Sequence, residues 1–358
     1  MQQSPEARRI LPSSDLETQL AAAARIAVIV IGGIAVIGVL EYAQVILAPI
    51  ALAIVIGLMF GPLADRIERF GIPPWVSALA AVLVFLALIA IAATGFAVPL
   101  SDWMDRLPAI WSRLQSELTS WKGIFASVGG LQEQLRQAMG QDAGMKVNVD
   151  DTSAVESVVY FAPALMAQIV LFLASMYFFI ATRNEFRDAV LGRCVAPRLR
   201  RRVADTFWQV EDKVSRYLLS ITAVNVALGL AVSAVLFALD VPSPLLWGLM
   251  AGVLNYVIYI GPAVMAVLLT GVGLATADTA PGILLPPAAY LIVNLIEAQF
   301  VTPHVLGRTM TLNPFLVFLA LAGWIWLWGP VGGFIAVPAL LIAGTVIATI
   351  APEQLDPA

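Results

Sequence analysis

The sequence predicts an all-α, polytopic integral membrane protein. Of its 358 residues, 60% are apolar and 12% are charged, whereas a typical soluble domain is about 45–50% apolar and about 25% charged. The mean hydropathy is +0.89. Two runs, 75–98 and 157–181, carry no charge and exceed the roughly 20 residues needed to cross a bilayer core. Composition and run length together exclude a soluble enzyme fold.

Six segments are predicted to cross the membrane fully. They are 26–40, 43–60, 75–98, 157–181, 217–239 and 283–300. About 20 polar or small residues precede the first span, and that span leads straight into the second, so we expect a retained anchor rather than a cleaved signal peptide.

Lysine and arginine set the predicted orientation. They concentrate in the N-terminal tail, after the second span and in residues 182–216, and these segments share one side if every span crosses. The positive-inside rule places them, and both termini, in the cytoplasm. The predicted regions are a cytoplasmic tail (1–25), the first three transmembrane helices (26–98), an extracytoplasmic segment (99–156), a transmembrane helix (157–181), a basic cytoplasmic segment (182–216), a core with two broken hairpins (217–349) and a cytoplasmic tail (350–358).

The extracytoplasmic segment 99–156 holds eight acidic and five basic residues. Apolar residues at helical spacing from Leu107 to Trp121 predict one amphipathic helix, and Leu131, Leu135 and Met139 predict a second, shorter one. A cap on the membrane domain, a lid or an oligomer contact would each bury such faces. We favour the cap, because an apolar face alone does not identify its partner.

Two apolar stretches, 244–277 and 313–349, are interrupted by Gly261-Pro262 and Gly329-Pro330. Counting the crossings between the charged segments places the open end of the first interrupted stretch outside and that of the second inside. Each half of 217–349 is therefore predicted to be one span followed by a re-entrant hairpin. Opposed halves of similar content indicate an inverted-topology repeat. Broken backbone at membrane depth survives where protein or a water-filled cavity satisfies it. The pattern is therefore typical of a transporter.

Four residues of this core are the predicted contacts for a substrate or ion: Asn255, Tyr259, Asn294 and Glu297. A carboxylate within an apolar run is costly and commonly functional. Glu297 lies three residues after Asn294 on the same helical face, where it would receive a proton or hold a cation. Alternatively, Glu297 reaches interfacial water or pairs with Arg308. Asn225 is interpreted as a residue that forms a hydrogen bond between two helices.

The predicted hairpin breaks and hinges consist mainly of glycine and proline, with His304 expected in a loop after Pro303. They are Gly261, Pro262, Pro303, His304, Gly307, Arg308, Asn313, Pro314, Gly329 and Pro330. A solvated loop is the favoured interpretation of His304, ahead of a proton relay.

Several chemistries are excluded by residue counts and missing motifs. Cys194 and His304 are the only cysteine and histidine, so neither a disulfide framework nor a multi-His or Cys-based metal site is expected. The motifs GxxxxGK[ST], HExxH and GxSxG are absent. We therefore expect that the protein is not an enzyme and holds no cofactor or metal. We expect that its activity is coupled to H+ or Na+. The arginine run 200–202 beside a span favours an anionic-lipid contact over a nucleic-acid partner.

A family resemblance rests mainly on residues 244–338. Its motifs are Pro244-Leu-Leu-Trp-Gly, Leu254-Asn-Tyr-Val-Ile-Tyr-Ile-Gly-Pro, Asn294-Leu-Ile-Glu, Thr302-Pro, Gly307-Arg, Leu312-Asn-Pro, Gly329-Pro-Val-Gly-Gly and Ala336-Val-Pro. The sequence thereby resembles the AI-2E transporter family of bacterial inner-membrane proteins. The resemblance implies a homopentamer that exports the quorum signal autoinducer-2 or, in some members, exchanges Na+ for H+. Ile258 departs from a proline common in the family, which affects the first hairpin.

The leading hypothesis is a secondary transporter that exports a small polar solute, with its site exposed alternately to either side of the membrane between the two hairpins. The alternative is a cation/proton antiporter in which Glu297 holds both ions. A third reading is a non-transporting scaffold that binds partners through its outer helices. Deleting residues 105–140 would abolish the scaffold's role, whereas a transporter would keep substrate-dependent flux unless it misassembles.

Overall fold

The computed structural model describes residues 15–106, 108–116, 152–306 and 313–350. These residues are helices and short connections, with no strand among them. They form two compact units that divide between Leu47 and Ala48. The helices are α1 (Asp15–Tyr42), α2 (Gln44–Glu68), α3 (Pro74–Met104), α4 (108–116), α5 (Thr152–Gly192), α6 (Pro197–Ala238), α7 (Pro244–Leu254), α8 (Ile260–Thr276), α9 (Ala280–Ile296), a π-helical turn (Glu297–Val301), α10 (Thr302–Leu306) and α11 (Pro314–Ile350).

The predicted fold class is confirmed. Within the described residues, seven segments are long and apolar enough to cross a membrane. Six of them coincide with the six predicted spans. The seventh, Pro314–Thr349, contains the second predicted hairpin. The chain is therefore an all-α, multi-pass membrane protein.

Proline marks the start of most helices in the second unit. Pro74, Pro197 and Pro244 each lie in the first turn of a helix, where a missing N–H removes no intrahelical bond. The 42 residues of α6 extend for about 63 Å at 1.5 Å per residue, about twice the bilayer core of about 30 Å. Much of the predicted basic segment 182–216 is thus the helical continuation of α5 and α6. We call the Pro197 end of α6 its basic end and the Ala238 end its far end.

Helices α6 and α7 run antiparallel in direct backbone contact. A Cβ added at Gly252 would lie 2.7 Å from the Asn225 carbonyl oxygen, and one added at Gly229 would lie 2.8 Å from the Gly248 carbonyl oxygen. A Cβ at Gly248 would overlap Ser233 Oγ. Small residues permit this approach, as in other membrane helix pairs. The Gly248/Gly252 spacing in the sequence therefore marks a real interface.

We expect Gly248→Ala to push α7 away from α6. Overpacking of this kind costs about 1–3 kcal/mol, so the thermal midpoint of the detergent-solubilised protein should fall. Gly271→Ala is the matched control, because nothing lies within 4 Å of a Cβ at that position. Equal midpoints for the two variants would contradict the packing described above.

Hairpin 1, comprising α7 and α8, turns back through the five residues 255–259. Tyr259 has a φ of 67° at the end of this turn. A Cβ at Gly261 would overlap the Leu254 carbonyl oxygen, which requires the chain to reverse within seven residues. The break therefore precedes the Gly261-Pro262 dipeptide, which forms the first turn of α8. Proline is accommodated there because early helical N–H groups have no intrahelical partner.

Hairpin 2 is α11 itself, which is broken at Trp328 and Gly329. Gly329 has a φ of 61° and a ψ of −142°, a conformation open to glycine and strained for other residues. A Cβ at Gly332 would overlap the Trp324 carbonyl oxygen, although residues eight apart in a continuous helix are separated by about 12 Å. The chain therefore doubles back at the predicted Gly329-Pro330 break.

The two hairpins meet tip to tip and extend in opposite directions along α6. The ring centroids of Tyr256 and Phe334 are 5.3 Å apart. From there, α7 follows α6 to its far end, while the second arm of hairpin 2 follows α6 to its basic end. Thr345 and Thr349 mark that second path through contacts with Lys213 and Thr206. The opposed arrangement agrees with the inverted-repeat hypothesis, whereas re-entry into a membrane stays a prediction.

The remaining core lies on either side of this junction. Near the far end of α6, Trp103 of α3 stacks edge-on against Trp247 of α7, with centroids 5.0 Å apart, within a cluster that includes Met265 and Tyr290. A second cluster joins α2, α3 and α5 around Phe60 and Met176. Arg113 of α4 donates a hydrogen bond to the Leu274 carbonyl oxygen at 3.0 Å and pairs with Asp278. The described part of the outer segment thus docks on the α8–α9 end of the core.

Candidate functional site

Three asparagines from three helices meet at the tip of hairpin 1. Asn255, which ends α7, donates from Nδ2 to Oδ1 of Asn225 on α6 at 2.9 Å. Asn294 on α9 donates from Nδ2 to Oδ1 of Asn255 at 3.4 Å, a longer and weaker bond. We call these three residues the asparagine network. It joins α6, hairpin 1 and α9.

Hydroxyl groups extend this network toward hairpin 2. Tyr256 Oη donates to Thr222 Oγ1 at 2.7 Å, and Thr222 donates in turn to the Leu218 carbonyl oxygen at 2.6 Å. The other side of Tyr256 contacts Phe334. A movement of hairpin 2 would therefore act directly on the residue that follows Asn255.

The Oη atom of Tyr290, a residue 1% exposed within the cluster near the far end of α6, has no hydrogen-bond partner among the described residues. A buried polar group without a partner costs about 1–3 kcal/mol.

Glu297 begins the π-helical turn that follows α9. The Thr302 N–H donates to the Glu297 carbonyl oxygen five residues earlier. Pro303 explains the wider turn, because its ring would clash with the carbonyl four residues back in an α-helix. Such turns are frequent at functional sites. The sequence signal for this irregularity was thus the Thr302-Pro303 pair.

The Glu297 side chain is buried, with 7% of the residue exposed. Its carboxylate accepts a hydrogen bond from Thr302 Oγ1. Tyr290 lies seven residues earlier, on the same face of α9. A carboxylate that is buried in a membrane helix is a candidate proton or cation site. Glu297 therefore does not simply reach open solvent. Arg308, its partner in the alternative interpretation, lies outside the described residues.

The predicted contact residues divide into two groups. Asn255 and Asn294 are hydrogen-bonded to each other, and Glu297 follows Asn294 by one turn. Tyr259 lies apart: it is 61% exposed in the turn before α8. The described contacts do not bring Tyr259 into the asparagine network.

The predicted hinges fall at several kinds of position. Gly329 and Pro330 lie at the break of hairpin 2, and Gly261 and Pro262 lie just after the break of hairpin 1. Asn313 and Pro314 start α11, where Asn313 Oδ1 accepts from the Phe315 N–H at 2.9 Å. The loop expected at His304 is wrong, because His304 belongs to the short helix α10, as does Pro303. Gly307 and Arg308 lie outside the described residues.

Sequence reasoning did not include Thr222, Asn225 and Tyr256 among the site residues. The α6 sequence carried a signal for Thr222 and Asn225. Thr222, Asn225 and Gly229 share one helical face, and the small and polar residues Gly248, Gly252 and Asn255 share one face of α7. Matching stripes of small and polar residues favour a close helix pair.

A second polar cluster lies nearer the basic end of α6. The guanidinium of Arg183 on α5 pairs with Glu211 of α6 at 2.9 Å, and also with Asp65 and Glu68 of α2. The Arg183 side chain is 9% exposed. We call these four residues the Arg183 cluster. It joins three helices that the sequence treats as separate spans.

The profile of the AI-2E family transporter matches residues 25–351, which includes both hairpins and the asparagine network. The chain belongs to the AI-2E transporter family. The match confirms the resemblance drawn from the hairpin motifs. Because it covers nearly all of the described core, the opposed hairpins belong to the matched region.

Relatives in this family carry transport names. The chain is 28% identical to the AI-2 transport protein TqsA of Escherichia coli over 324 residues, 88% of each chain. It is 26% identical to a putative transport protein of Mycobacterium tuberculosis over 351 residues, 93% of each chain. It is 29% identical to the putative transport protein YrrI of Bacillus subtilis over 133 residues, 37% of each chain. These similarities support a transport function.

Proposed function

We propose that this AI-2E family protein is a secondary transporter that exports a small polar solute past the asparagine network. The observation that carries the proposal is the meeting of Asn225, Asn255 and Asn294 where the two hairpin tips touch. Amide groups offer both donors and acceptors, which suits a neutral polyhydroxylated solute. The name of the Escherichia coli relative makes autoinducer-2 the first solute to test.

The proposed cycle exposes this network to one side of the membrane at a time. Hairpin 1 separates the network from the far side and hairpin 2 separates it from the basic side, so movement of either hairpin would open one path. The unwound residues 255–259 and the Gly329 break allow each tip to move without unfolding its arms. Both termini would lie in the cytoplasm of a bacterial inner membrane.

Flux through the purified protein in sealed vesicles tests this function. Autoinducer-2 and other small polar solutes would be offered with imposed pH and Na+ gradients, and protein-free vesicles provide the baseline. Solute-dependent flux above that baseline supports the proposal. Its absence for every solute, from protein that is correctly folded, would leave the scaffold reading in its place.

Labelling of single cysteines tests the alternating exposure. Cys194 would first be replaced by serine, and cysteines would then be placed at Ile260 and Trp326, two exposed residues that lie beside the breaks of hairpin 1 and hairpin 2. Re-entrant tips predict that the first labels poorly from the cytoplasm and the second poorly from outside. Ready labelling from those opposite sides would mean that the hairpin arms cross the membrane fully.

Cation/proton antiport is the second candidate function, and the burial of Glu297 favours it. We expect Glu297→Gln to abolish coupling to H+ or Na+, because the amide cannot exchange a proton. Gradient-driven flux is the measurement, with Glu185→Gln as the matched control, since Glu185 is an exposed carboxylate on α5. If the Glu297 variant moves solute and ions as the parent protein does, Glu297 has no role in transport.

The expected homopentamer and the coupling ion stay predictions. Size determination in detergent and flux under separate H+ and Na+ gradients address them independently of the solute.

A further inference from the structure

Polar side chains join α6 to the second arm of hairpin 2. Thr206 Oγ1 is hydrogen-bonded to Thr349 Oγ1 at 3.0 Å. Lys213 Nζ donates to Thr345 Oγ1 and to Gln209 Oε1, both at 3.4 Å, and bonds of that length are weak. We call these five residues, which lie toward the basic end of α6, the polar seam.

The other half of α6 is packed in a different way. Against α7, glycines bring the two backbones into contact, and a Cβ at Gly252 would lie only 2.7 Å from the Asn225 carbonyl oxygen. Parting such helices loses close van der Waals packing. In the polar seam, longer side chains are joined by weak hydrogen bonds, which water or a solute can replace one for one. The seam is therefore the part of the α6 interface that opens at lower cost.

The polar seam leads to the asparagine network. Along the second arm of hairpin 2, about 16 Å of helix separates Thr345 from Phe334, which contacts Tyr256. Along α6, about 14 Å of helix separates Lys213 from Thr222, to which Tyr256 donates a hydrogen bond. The two helices thus remain neighbours from the seam to the residue that follows the hairpin 1 asparagine.

Lys213 gives the polar seam a positive charge. The residue is half-buried, and its ammonium faces Thr345, which is 4% exposed. Within the described part of the chain it forms no ion pair. An ammonium has three donors, so two weak bonds to neutral oxygens satisfy it poorly. Solute oxygens would complete its hydrogen bonds, most strongly where they carry negative charge, whereas a cation would be repelled.

We propose that the polar seam is the basic-side entrance to the solute path and that Lys213 selects solutes there by charge. Oxygen-rich neutral and anionic solutes would pass Lys213, and cationic solutes would be excluded. The predicted span of α6 begins at residue 217, so Lys213 lies one turn before it, at the edge of the membrane. This assignment rests on the proposed transport function and names the residue that filters what reaches the asparagine network.

A cysteine in the polar seam tests the entrance without any transported solute. Thr345→Cys would be placed in full-length protein with Cys194 replaced by serine. Its modification rate would be measured in detergent with the anionic sulfonatoethyl and the cationic trimethylammonioethyl methanethiosulfonates. Because Thr345 is buried, the cysteine reacts only when the seam opens. Ser215→Cys is the matched control: Ser215 is 3% exposed and lies on the opposite face of α6, so it should react at least tenfold more slowly.

The ratio of the anionic to the cationic rate at Thr345→Cys tests the role of Lys213. We expect Lys213→Gln to lower this ratio about tenfold, because a unit charge about 6 Å away in a water-like medium changes each rate about threefold, in opposite directions. Lys213→Arg keeps the charge and should keep the ratio. Arg201→Gln removes an exposed cation of α6 outside the seam and should leave the ratio unchanged.

Flux then connects the seam to the solute path. For a solute that the parent protein transports, modification of Thr345→Cys should lower flux at least tenfold. The assignment is overturned if Thr345→Cys reacts no faster than Ser215→Cys, if Lys213→Gln leaves the ratio unchanged, or if the modified variant transports at its unmodified rate. Absence of flux in the parent protein would overturn the proposed function itself, whereas failure of the labelling alone would overturn only the entrance and its filter.

Discussion

Asn255→Ala is expected to reduce solute flux in vesicles by about tenfold or more. The change removes both hydrogen bonds that join Asn225, Asn255 and Asn294. Each polar contact between membrane helices is worth about 0.6–2 kcal/mol, and about 1.4 kcal/mol corresponds to a factor of ten. Flux should fall at saturating solute as well, because the unwound tip would lose the contact that positions it.

Thr270→Ala is the matched control for this experiment. Thr270 lies on the second arm of the same hairpin, and its hydroxyl donates to the Ala266 carbonyl oxygen within its own helix at 2.8 Å. Its loss should leave flux near the parent value. The proposed site is wrong if Asn255→Ala folds normally and transports at the parent rate. Equal loss of flux in both variants would point to general damage to hairpin 1.

Arg183→Ala is expected to cause the largest loss of stability among the variants considered. The change leaves Asp65, Glu68 and Glu211 close together without their shared cation. Removing one partner of a buried ion pair typically costs about 3–5 kcal/mol, and partial exposure of Asp65 places this site toward the lower end. The thermal midpoint in detergent should fall, and α2 should loosen from α5.

The double variant Arg183→Met with Glu211→Gln separates charge from packing. It removes one of the uncompensated carboxylates, so part of the lost stability should return. Arg193→Ala serves as the control for loss of an arginine from the same end of α5. A midpoint unchanged in Arg183→Ala would show that the cluster does not hold the three helices together.

The extent of the helices shows where sequence reasoning succeeded. Long uncharged runs have few alternatives to crossing a membrane, because every backbone polar group in lipid must be satisfied within a helix. Spans such as 75–98 were therefore predicted closely, and the Gly329 break was placed correctly. The break of hairpin 1 lies before Gly261-Pro262, because Pro262 occupies the first turn of α8, where its missing N–H removes no intrahelical bond.

The candidate site shows where sequence reasoning reached its limit. Asn255, Asn294 and Glu297 were recognised because polar residues in apolar runs are individually costly. Asn225 was interpreted as a residue that ties two helices together, which agrees with its hydrogen bond to Asn255, but nothing local identified that partner thirty positions away. Tyr259 was predicted as a contact by its position beside the break, but its side chain is exposed in the turn.

The sequence by itself determined the class of the protein, the positions of its long apolar helices and the two interruptions near its C-terminal end. These follow from local hydropathy and from the backbone chemistry of glycine and proline, which act within a few residues. The tertiary structure decided that the hairpin tips meet and that Asn225 completes the asparagine network. It also decided that Arg183 joins α2, α5 and α6. Those contacts depend on how close two helix backbones can approach, which Gly229, Gly248 and Gly252 set together through space.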